Sequence, residues 1–310
     1  MNTKVVALAG GVGGAKLADG LYKVLPPESL TVIVNTADDF QHLGLQISPD
    51  LDTVCYTLAG LANAETGWGR ADESWNALDN VSALGGPDWF RIGDRDLGTH
   101  LERTRRLKDG QSLSQVTKDF CRVWGLHAEI LPMSDQPVST IVQTDEGELA
   151  FQEYFGARAS QPKVSGFRFA GADSAKAPKK VLEAISAADL VLICPSNPWV
   201  SIGPILAIKE IQSALSEKRV IAVSPIIGGK AVKGPAAKMF SEMGIAPSAL
   251  AVANHYGKLL SGFVLDQTDT EQLEAIQALG IMALATDTLM NSSADRQRLA
   301  KEVLEFGYSF

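Results

Sequence analysis

Chemistry in this chain concentrates in a few short segments. Gly10-Gly11-Val12-Gly13-Gly14-Ala15-Lys16 is the first. Glycines let a backbone approach a ligand closely, and a turn opening into a helix offers unpaired N–H groups to an anion. The segment is not a Walker A loop, because Ala15 stands where a glycine should precede the lysine and no Ser or Thr follows. Nor is it a GxGxxG fingerprint: counted from Gly11, the last glycine is replaced by Lys16. A phosphate or nucleotide cradle and a plain tight turn are the two readings.

Two acidic segments follow. Asn35-Thr36-Ala37-Asp38-Asp39-Phe40 and Ile47-Ser48-Pro49-Asp50-Leu51-Asp52-Thr53 put Asp38, Asp39, Asp50 and Asp52 into one short span. Aspartates at a helix start complement the helix dipole. They also suit Mg²⁺, which one or two carboxylates hold together with substrate phosphates. A ribose-binding Asp is the functional rival. Arg91-Ile92-Gly93-Asp94-Arg95-Asp96-Leu97-Gly98-Thr99-His100 interleaves Arg and Asp. It reads as a local ion-pair cluster, or as Arg forks that clamp phosphates or planar heterocycles. His100 alone reads as structural. His42, His127 and His255 are isolated, without HxH or HxxxH spacing, so a zinc site is not expected.

Pro195-Ser196-Asn197-Pro198-Trp199-Val200-Ser201 is a candidate oxyanion or phosphate cradle, with a proline-stiffened loop as its bland alternative. The Gly/Lys-rich run from Ser224 to Lys238 offers Lys230 and Lys233 to a negative ligand, or is simply a flexible loop. No Ser-His-Asp or Cys-His arrangement can be assembled from spacing.

These segments need elements to hold them. Lys4–Ala9 reads as a buried parallel strand, Ala15–Leu25 as a helix stopped by Pro26-Pro27, Leu30–Asn35 as the second strand. Ser48-Pro49 should cap and open a helix to Leu61. Residues 62–125 read as a mostly helical insertion with Trp68, Trp75, Trp89 and Trp124, most of them expected in the core. Residues 127–171 form a hairpin-containing segment: Ser139–Thr144 and Glu148–Phe155 flank Asp145-Glu146-Gly147, and Val164–Ala170 adds a strand. Further strands are expected at Leu190–Cys194, Val220–Ser224, Gly262–Leu265 and Ile281–Ala285. Helices are expected at Ile205–Leu215, Ala236–Met243, Glu271–Ala278 and Asp295–Glu305. This rhythm predicts one α/β domain over 1–310: a Rossmann-like, doubly wound, mostly parallel sheet, with ligands at the carboxyl ends of its strands. Arg103, Arg105, Arg106 and Lys108 read as a solvated helix face.

Composition narrows the classes. The chain has 310 residues, 45% hydrophobic and 21% charged, with a formal charge of −8. That excludes disorder and a disulfide scaffold and argues against a nucleic-acid partner. No apolar run approaches the roughly 18 residues needed to span a bilayer, so no membrane partner is expected. Cys55, Cys121 and Cys194 are few and without CxxC, which points to buried thiols and a cytoplasmic location.

The ordered set AGGVGGAK, VNTADDF, ISPDLDT, RIGDRD, ILPMSDQPVST, PSNPWVSIGPIL, SPIIGGKAVKGPAAKM and ATDTLM resembles the 2-phospho-L-lactate transferase (CofD) family over about residues 4–305. The YvcK-like nucleotide-sugar or NAD(P)-binding regulatory proteins share the glycine loop and are the alternative. The CofD resemblance implies transfer of a phosphorylated three-carbon acid (2-phospholactyl or enolpyruvyl-phosphate) from a guanosine-diphosphate-linked donor. The acceptor is the terminal hydroxyl of the deazaflavin Fo; GMP leaves, and coenzyme F-420-0 or its dehydro form results. It implies Mg²⁺ and a homodimer. It also implies that Asp50 and Asp52 are catalytic and, with Asp38 and Asp39, candidate metal ligands. By the same resemblance Asp50, Arg91, Arg95, Asn35 and Thr53 contact Fo. Gly10, Gly11, Gly13, Gly14, Lys16, Ser196, Asn197, Lys230 and Lys233 lie near the guanosine diphosphate.

Overall fold

The computed structural model describes residues 3–310. The chain opens with β1 (Val5–Ala9), α1 (Gly11–Val24), β2 (Leu30–Val34), a small hairpin β3 (Phe40–His42) and β4 (Leu45–Ile47), and α2 (Pro49–Leu58). Then come α3 (Asn76–Ala83), α4 (Asp94–Lys108), α5 (Leu113–Val123), β5 (Glu129–Pro132), β6 (Ser139–Thr144), β7 (Gly147–Ala150) and β8 (Val164–Ala170). The rest runs α6 (Lys179–Ala187), β9 (Leu190–Ile193), α7 (Gly203–Ala207), α8 (Lys209–Leu215), β10 (Val220–Val223), the ribbon β11 (Ile226–Ile227) and β12 (Lys230–Ala231), and α9 (Ala236–Glu242). It closes with α10 (Ala249–Tyr256), β13 (Gly262–Asp266), α11 (Leu273–Gln277), β14 (Met282–Thr286) and α12 (Ser293–Tyr308).

Seven strands form one parallel sheet in the order β14-β13-β10-β9-β1-β2-β5. The chain winds outward from β1 through β2 to β5, then crosses back to β9 and winds the other way. The strand order therefore reverses between β1 and β9, and open α/β sheets form their crevice at such a point. The central strands are apolar throughout because helices cover both faces. On one face β1, β9, β10 and β13 pack against α1, α2, α5 and α12 through Leu17, Leu21, Val54, Leu299 and Val303. On the other they meet α6, α8, α9 and α10 through Val181, Ile211, Phe240 and Val252. β7, β6 and β8 make a separate antiparallel sheet with its own apolar cluster around Val142, Tyr154 and Met239.

Several expectations about elements are corrected. The first helix begins at Gly11, not Ala15, so the glycines form its first turn rather than a loop before it. Close approach requires this. A Cβ on Gly13 would lie 2.4 Å from the Pro195 carbonyl oxygen, and one on Gly14 2.4 Å from Ser196 Oγ. Ser48 stands at the N-cap of α2 but does not cap it; its hydroxyl donates to Asp39 Oδ2 at 2.6 Å. The expected helix over Ile205–Leu215 is two short helices after a π-helical turn at Pro198–Ile202. Strand β5, helices α6 and α10 and the β3–β4 hairpin were not anticipated. The hairpin turns at Leu43-Gly44, both with positive φ, a geometry favoured for two-residue hairpins. Among the described residues, no helix is long and apolar enough to cross a membrane.

Candidate active site

A cavity of about 690 Å³ opens over the carboxyl ends of the parallel strands, at the reversal between β1 and β9. Segments that leave strands contribute lining residues: Gly10 after β1, Asp38 after β2, Ser196 after β9, Ser224 after β10 and Thr288 after β14. Ser196 fastens the reversal itself. Its hydroxyl accepts from the Gly10 N–H at 3.1 Å and donates to the Gly10 carbonyl at 2.8 Å.

The acidic end is built around Asp50. Its Oδ1 accepts the Gly11 N–H at 2.8 Å and its Oδ2 accepts from Asn35 Nδ2 at 2.9 Å. Asn35 also donates to the Val200 carbonyl at 3.2 Å, so it is a buried hub behind the cavity wall. Asp50 therefore occupies the first amide of α1, while those of Val12 and Gly13 have no intrahelical acceptor and are left for an anion. Burial raises the Asp50 carboxyl to about 6, even against these hydrogen bonds. Asp38, buried beside it, is pushed well above the usual carboxylate range by burial first and by the Asp50 charge second. Asp39 is raised in the same direction, mainly by burial. Oδ1 of Asp38 and Oδ1 of Asp39 are buried without a hydrogen-bond partner.

Asp52 is different. Arg103 holds it by both guanidinium nitrogens, Nη1 to Oδ2 at 3.0 Å and Nη2 to Oδ1, and is itself buried. This corrects the solvated-face reading of Arg103. Leu101 on α4 is exposed, while Thr99, His100, Arg103 and Thr104 turn inward, so the polar face of α4 is the buried one. His100 lies 3.4 Å from Asp96, and Tyr56 Oη donates to Asp96 at 2.7 Å. Ligand atoms of Asp52, Asp96 and His100 lie within 4.8 Å of one another, close enough to hold a metal ion. Arg103, however, already supplies the cation for Asp52. The charges of Asp38 and Asp50 have no such partner among the described residues. Asp38 Oδ1, buried beside the Asp50 carboxylate without a hydrogen-bond partner among the described residues, fits a bound divalent cation.

The opposite end is electropositive. Lys16 Nζ donates to the Met290 carbonyl and Lys233 Nζ to the Thr66 carbonyl, each at 2.8 Å. Both lysines thus meet neutral acceptors. The Lys16 amine is lowered by burial first, then by the charges of Arg296 and Lys233. Thr66 belongs to a strap closed by the Ala62–Arg70 bridge, whose Gly67 rests against Val12 of the glycine turn. The mouth is aromatic. Trp68, Trp89, Phe90 and Phe155 line it, and Trp68 and Trp89 are 48% and 42% exposed. Trp68 and Trp89 are therefore not core residues, whereas Trp124 packs against the core beside Tyr56 and Phe120. Trp75 instead carries Arg91, whose guanidinium carbon sits 4.4 Å from its ring centroid.

Of the residues singled out by sequence, Gly10, Gly11, Gly13, Lys16, Asp38, Asp50, Asp52, Thr53, Arg91, Ser196, Asn197 and Lys233 line this cavity. Gly14, Asn35 and Asp39 stand directly behind its wall. Two are not brought to it. Arg95 is exposed on the outer side of α4, 3.8 Å from Asp72. Lys230 is exposed on the β11–β12 ribbon and is not among the lining residues. The sequence does not mark Tyr56, and it reads Asp96 as part of an Arg/Asp cluster, His100 as structural and Arg103 as solvated. Their signal was the i, i+3, i+4 and i+7 spacing of Asp96, Thr99, His100 and Arg103 on one helix. All three cysteines are buried and unpaired, and Cys55 and Cys121, distant in sequence, approach to 3.7 Å between sulfurs.

Fold and cavity together define a Rossmann-like α/β protein with its ligand crevice at the switch point of the sheet. The chain belongs to the CofD family, described as 2-phospho-L-lactate transferase CofD, which it matches over residues 5–304. It is 42% identical to a phosphoenolpyruvate transferase of Streptomyces griseus, over 97% of this chain and 98% of that one. It is 41% identical to a 2-phospho-L-lactate transferase of Methanosarcina acetivorans, again over 97% and 98%. Among solved structures, a UPF0052-family protein from Bacillus halodurans superposes with a TM-score of 0.63 at 16% identity, covering 98% of this chain and 99% of that one. That likeness concerns the fold.

Proposed function

We propose that this chain is a transferase that moves a phosphorylated three-carbon acid from a guanosine-diphosphate-linked donor to the terminal hydroxyl of the deazaflavin Fo, releasing GMP. The observation that carries the reading is the polarity of one cavity: an acid pair, Asp38 and Asp50, shares it with a helix N-terminus and two lysines, and among the described residues neither the pair nor the lysines have an oppositely charged partner. The family's activity, and the names of relatives at about 40% identity, supply the substrate class.

Attack of an alcohol on a diphosphate needs charge neutralisation and in-line positioning more than covalent catalysis. In this reading the diphosphate lies against the first turn of α1, where the amides of Val12 and Gly13, Lys16 and Lys233 face it. Ser196 and Asn197 complete that wall. The aromatic mouth takes the flat deazaflavin, with Arg91 over it. Asp50, with its carboxyl near 6, is ionised at neutral pH and accepts the proton of the attacking hydroxyl. Mg²⁺, held by Asp38 and Asp50, would neutralise developing phosphate charge. Asp52, tied to Arg103, fixes the α2 end of the site rather than holding the metal. The same reading places the enzyme in the cytoplasm, as a homodimer.

The test incubates purified protein with Fo, Mg²⁺ and the lactyl and enolpyruvyl donors in turn, followed by mass spectrometry of products. A phosphodiester of Fo with one donor is expected. Binding of a sugar nucleotide with no binding of Fo would instead favour the regulatory alternative. Asp50→Ala should lower turnover by at least about 10²-fold with an unchanged circular dichroism spectrum; retained turnover would reject its role.

A further inference from the structure

Beside the acid pair lies a second polar group that the transfer step does not use. On α2, Asp50, Thr53 and Tyr56 follow one face of the helix into the cavity. Six residues at 1.5 Å each place Tyr56 about 9 Å along the axis from Asp50. There Tyr56 Oη donates to Asp96 Oδ1, while Asp96 Oδ2 stands 3.4 Å from His100 Nε2. That contact does not satisfy His100: its Nε2 is buried with no hydrogen-bond partner among the described residues, and the residue, only 1% exposed, lines the cavity.

The tautomer follows from the neighbours. Arg103 Nη1 lies 3.2 Å from His100 Nδ1, and a guanidinium can only donate. Nδ1 is therefore the acceptor, and the ring proton sits on Nε2. A protonated Nε2 has no lone pair for a metal, and both oxygens of Asp52 are already engaged by Arg103. What remains is a donor, His100 Nε2–H, beside an acceptor, Asp96 Oδ2. A hydroxyl group is both acceptor and donor, and it is the group that satisfies the two at once.

We propose that His100 and Asp96 form a hydroxyl-recognition site that binds a secondary hydroxyl of the acceptor's polyol chain and so selects polyhydroxylated acceptors. This rests on the transferase reading. One hydroxyl accepts from His100 Nε2 and donates to Asp96 Oδ2, with Tyr56 and Arg103 fixing the orientation of the two side chains. The chain then runs along α2 toward Asp50, and its terminal hydroxyl arrives at the acid pair. His100 and Asp96 are specificity residues; they touch the substrate away from the reacting phosphorus.

The experiment compares Fo with the same deazaflavin carrying an unsubstituted alkyl chain that keeps only the terminal hydroxyl. Dissociation constants come from deazaflavin fluorescence, and KM and kcat from the transfer assay. Wild-type protein is expected to prefer Fo at least about tenfold. His100→Phe should abolish that preference by weakening Fo alone, with little change in kcat, in the alkyl analogue or in the donor KM. His100→Gln, whose amide N–H can stand in for Nε2–H, should recover most of it. Asp96→Asn should move in the direction of His100→Phe and guards against misfolding of the first variant. Equal binding of the two compounds by wild type, equal loss of both in His100→Phe, or a change confined to Mg²⁺ affinity would each overturn the site. Absence of transfer by wild type with Fo preference intact would sink the transferase reading and leave the hydroxyl site standing.

Discussion

Asp50 accepts a helix amide on one oxygen and an asparagine amide on the other, yet burial still lifts its carboxyl to about 6. Asp38 and Asp39 are displaced in the same direction. A carboxyl whose folded value exceeds its unfolded value of about 3.8 favours the folded state most when protonated. In the metal-free protein that contribution is complete below about pH 4 and is lost as pH rises through about 6. A divalent cation at the proposed Asp38–Asp50 seat would act oppositely, because it would bind the ionised pair. Thermal unfolding should therefore show a larger Tm gain from Mg²⁺ near pH 7.5 than near pH 5; equal gains at both would argue against Asp38 and Asp50 as its seat. These carboxylates were legible in the sequence because they cluster beside glycines. Arg103 and His100 were not. A charged residue is expected to face water, and only the ties from α4 to α2, Arg103 to Asp52 and Asp96 to Tyr56, show that its polar face is the buried one.

Glycines do different work along α1. Gly20 lies mid-helix, where replacement by alanine normally favours the helix by about 1 kcal/mol. Here a Cβ would stand 2.1 Å from the Arg296 carbonyl oxygen of α12. Gly20→Ala should instead destabilise by about 1–3 kcal/mol, read as a Tm drop of a few degrees; a rise would contradict the close helix contact. Gly13→Ala meets the Pro195 carbonyl at 2.4 Å and should weaken donor binding as well as stability. Strands such as Val5–Ala9 and Leu190–Ile193 were readable as apolar runs ending in small residues. Element breaks were not. Ile205–Leu215 keeps a helical pattern through the kink between α7 and α8, since that break is set by tertiary packing and the preceding π-helical turn. Strand β5 has only four residues and ends in a proline, too little to stand out before folding.

At the scale of the molecule, the proposed transfer requires a chain of net charge −8 to attract an anionic donor. The cavity suits this because it separates charge, acid pair at one end and lysines at the other. Local fields of this kind are screened by salt, whereas contacts to a neutral aromatic ring are not. Raising ionic strength from about 0.05 to 0.5 M should raise the donor KM severalfold and leave that of Fo nearly unchanged. Equal responses would argue against the lysine end as the donor site. The doubly wound sheet was foreseeable from the strand–helix rhythm, and with it the placement of ligands at strand ends. The 62–70 strap was not, because its grip on the far wall is one lysine on a backbone carbonyl.

Position 10 joins all three scales. The gap there is barely wider than a hydrogen atom: a methyl would come within 2.5 Å of Asp50 Oδ2 and 2.7 Å of Ser201 Cβ. Strands laid down before the crossover meet a turn laid down long after it at that single spot. Saturation mutagenesis should thus find no tolerated replacement, although the residue contributes no side chain of its own. What it supplies is vacancy, and every other group around the crevice takes its place by reference to that empty volume.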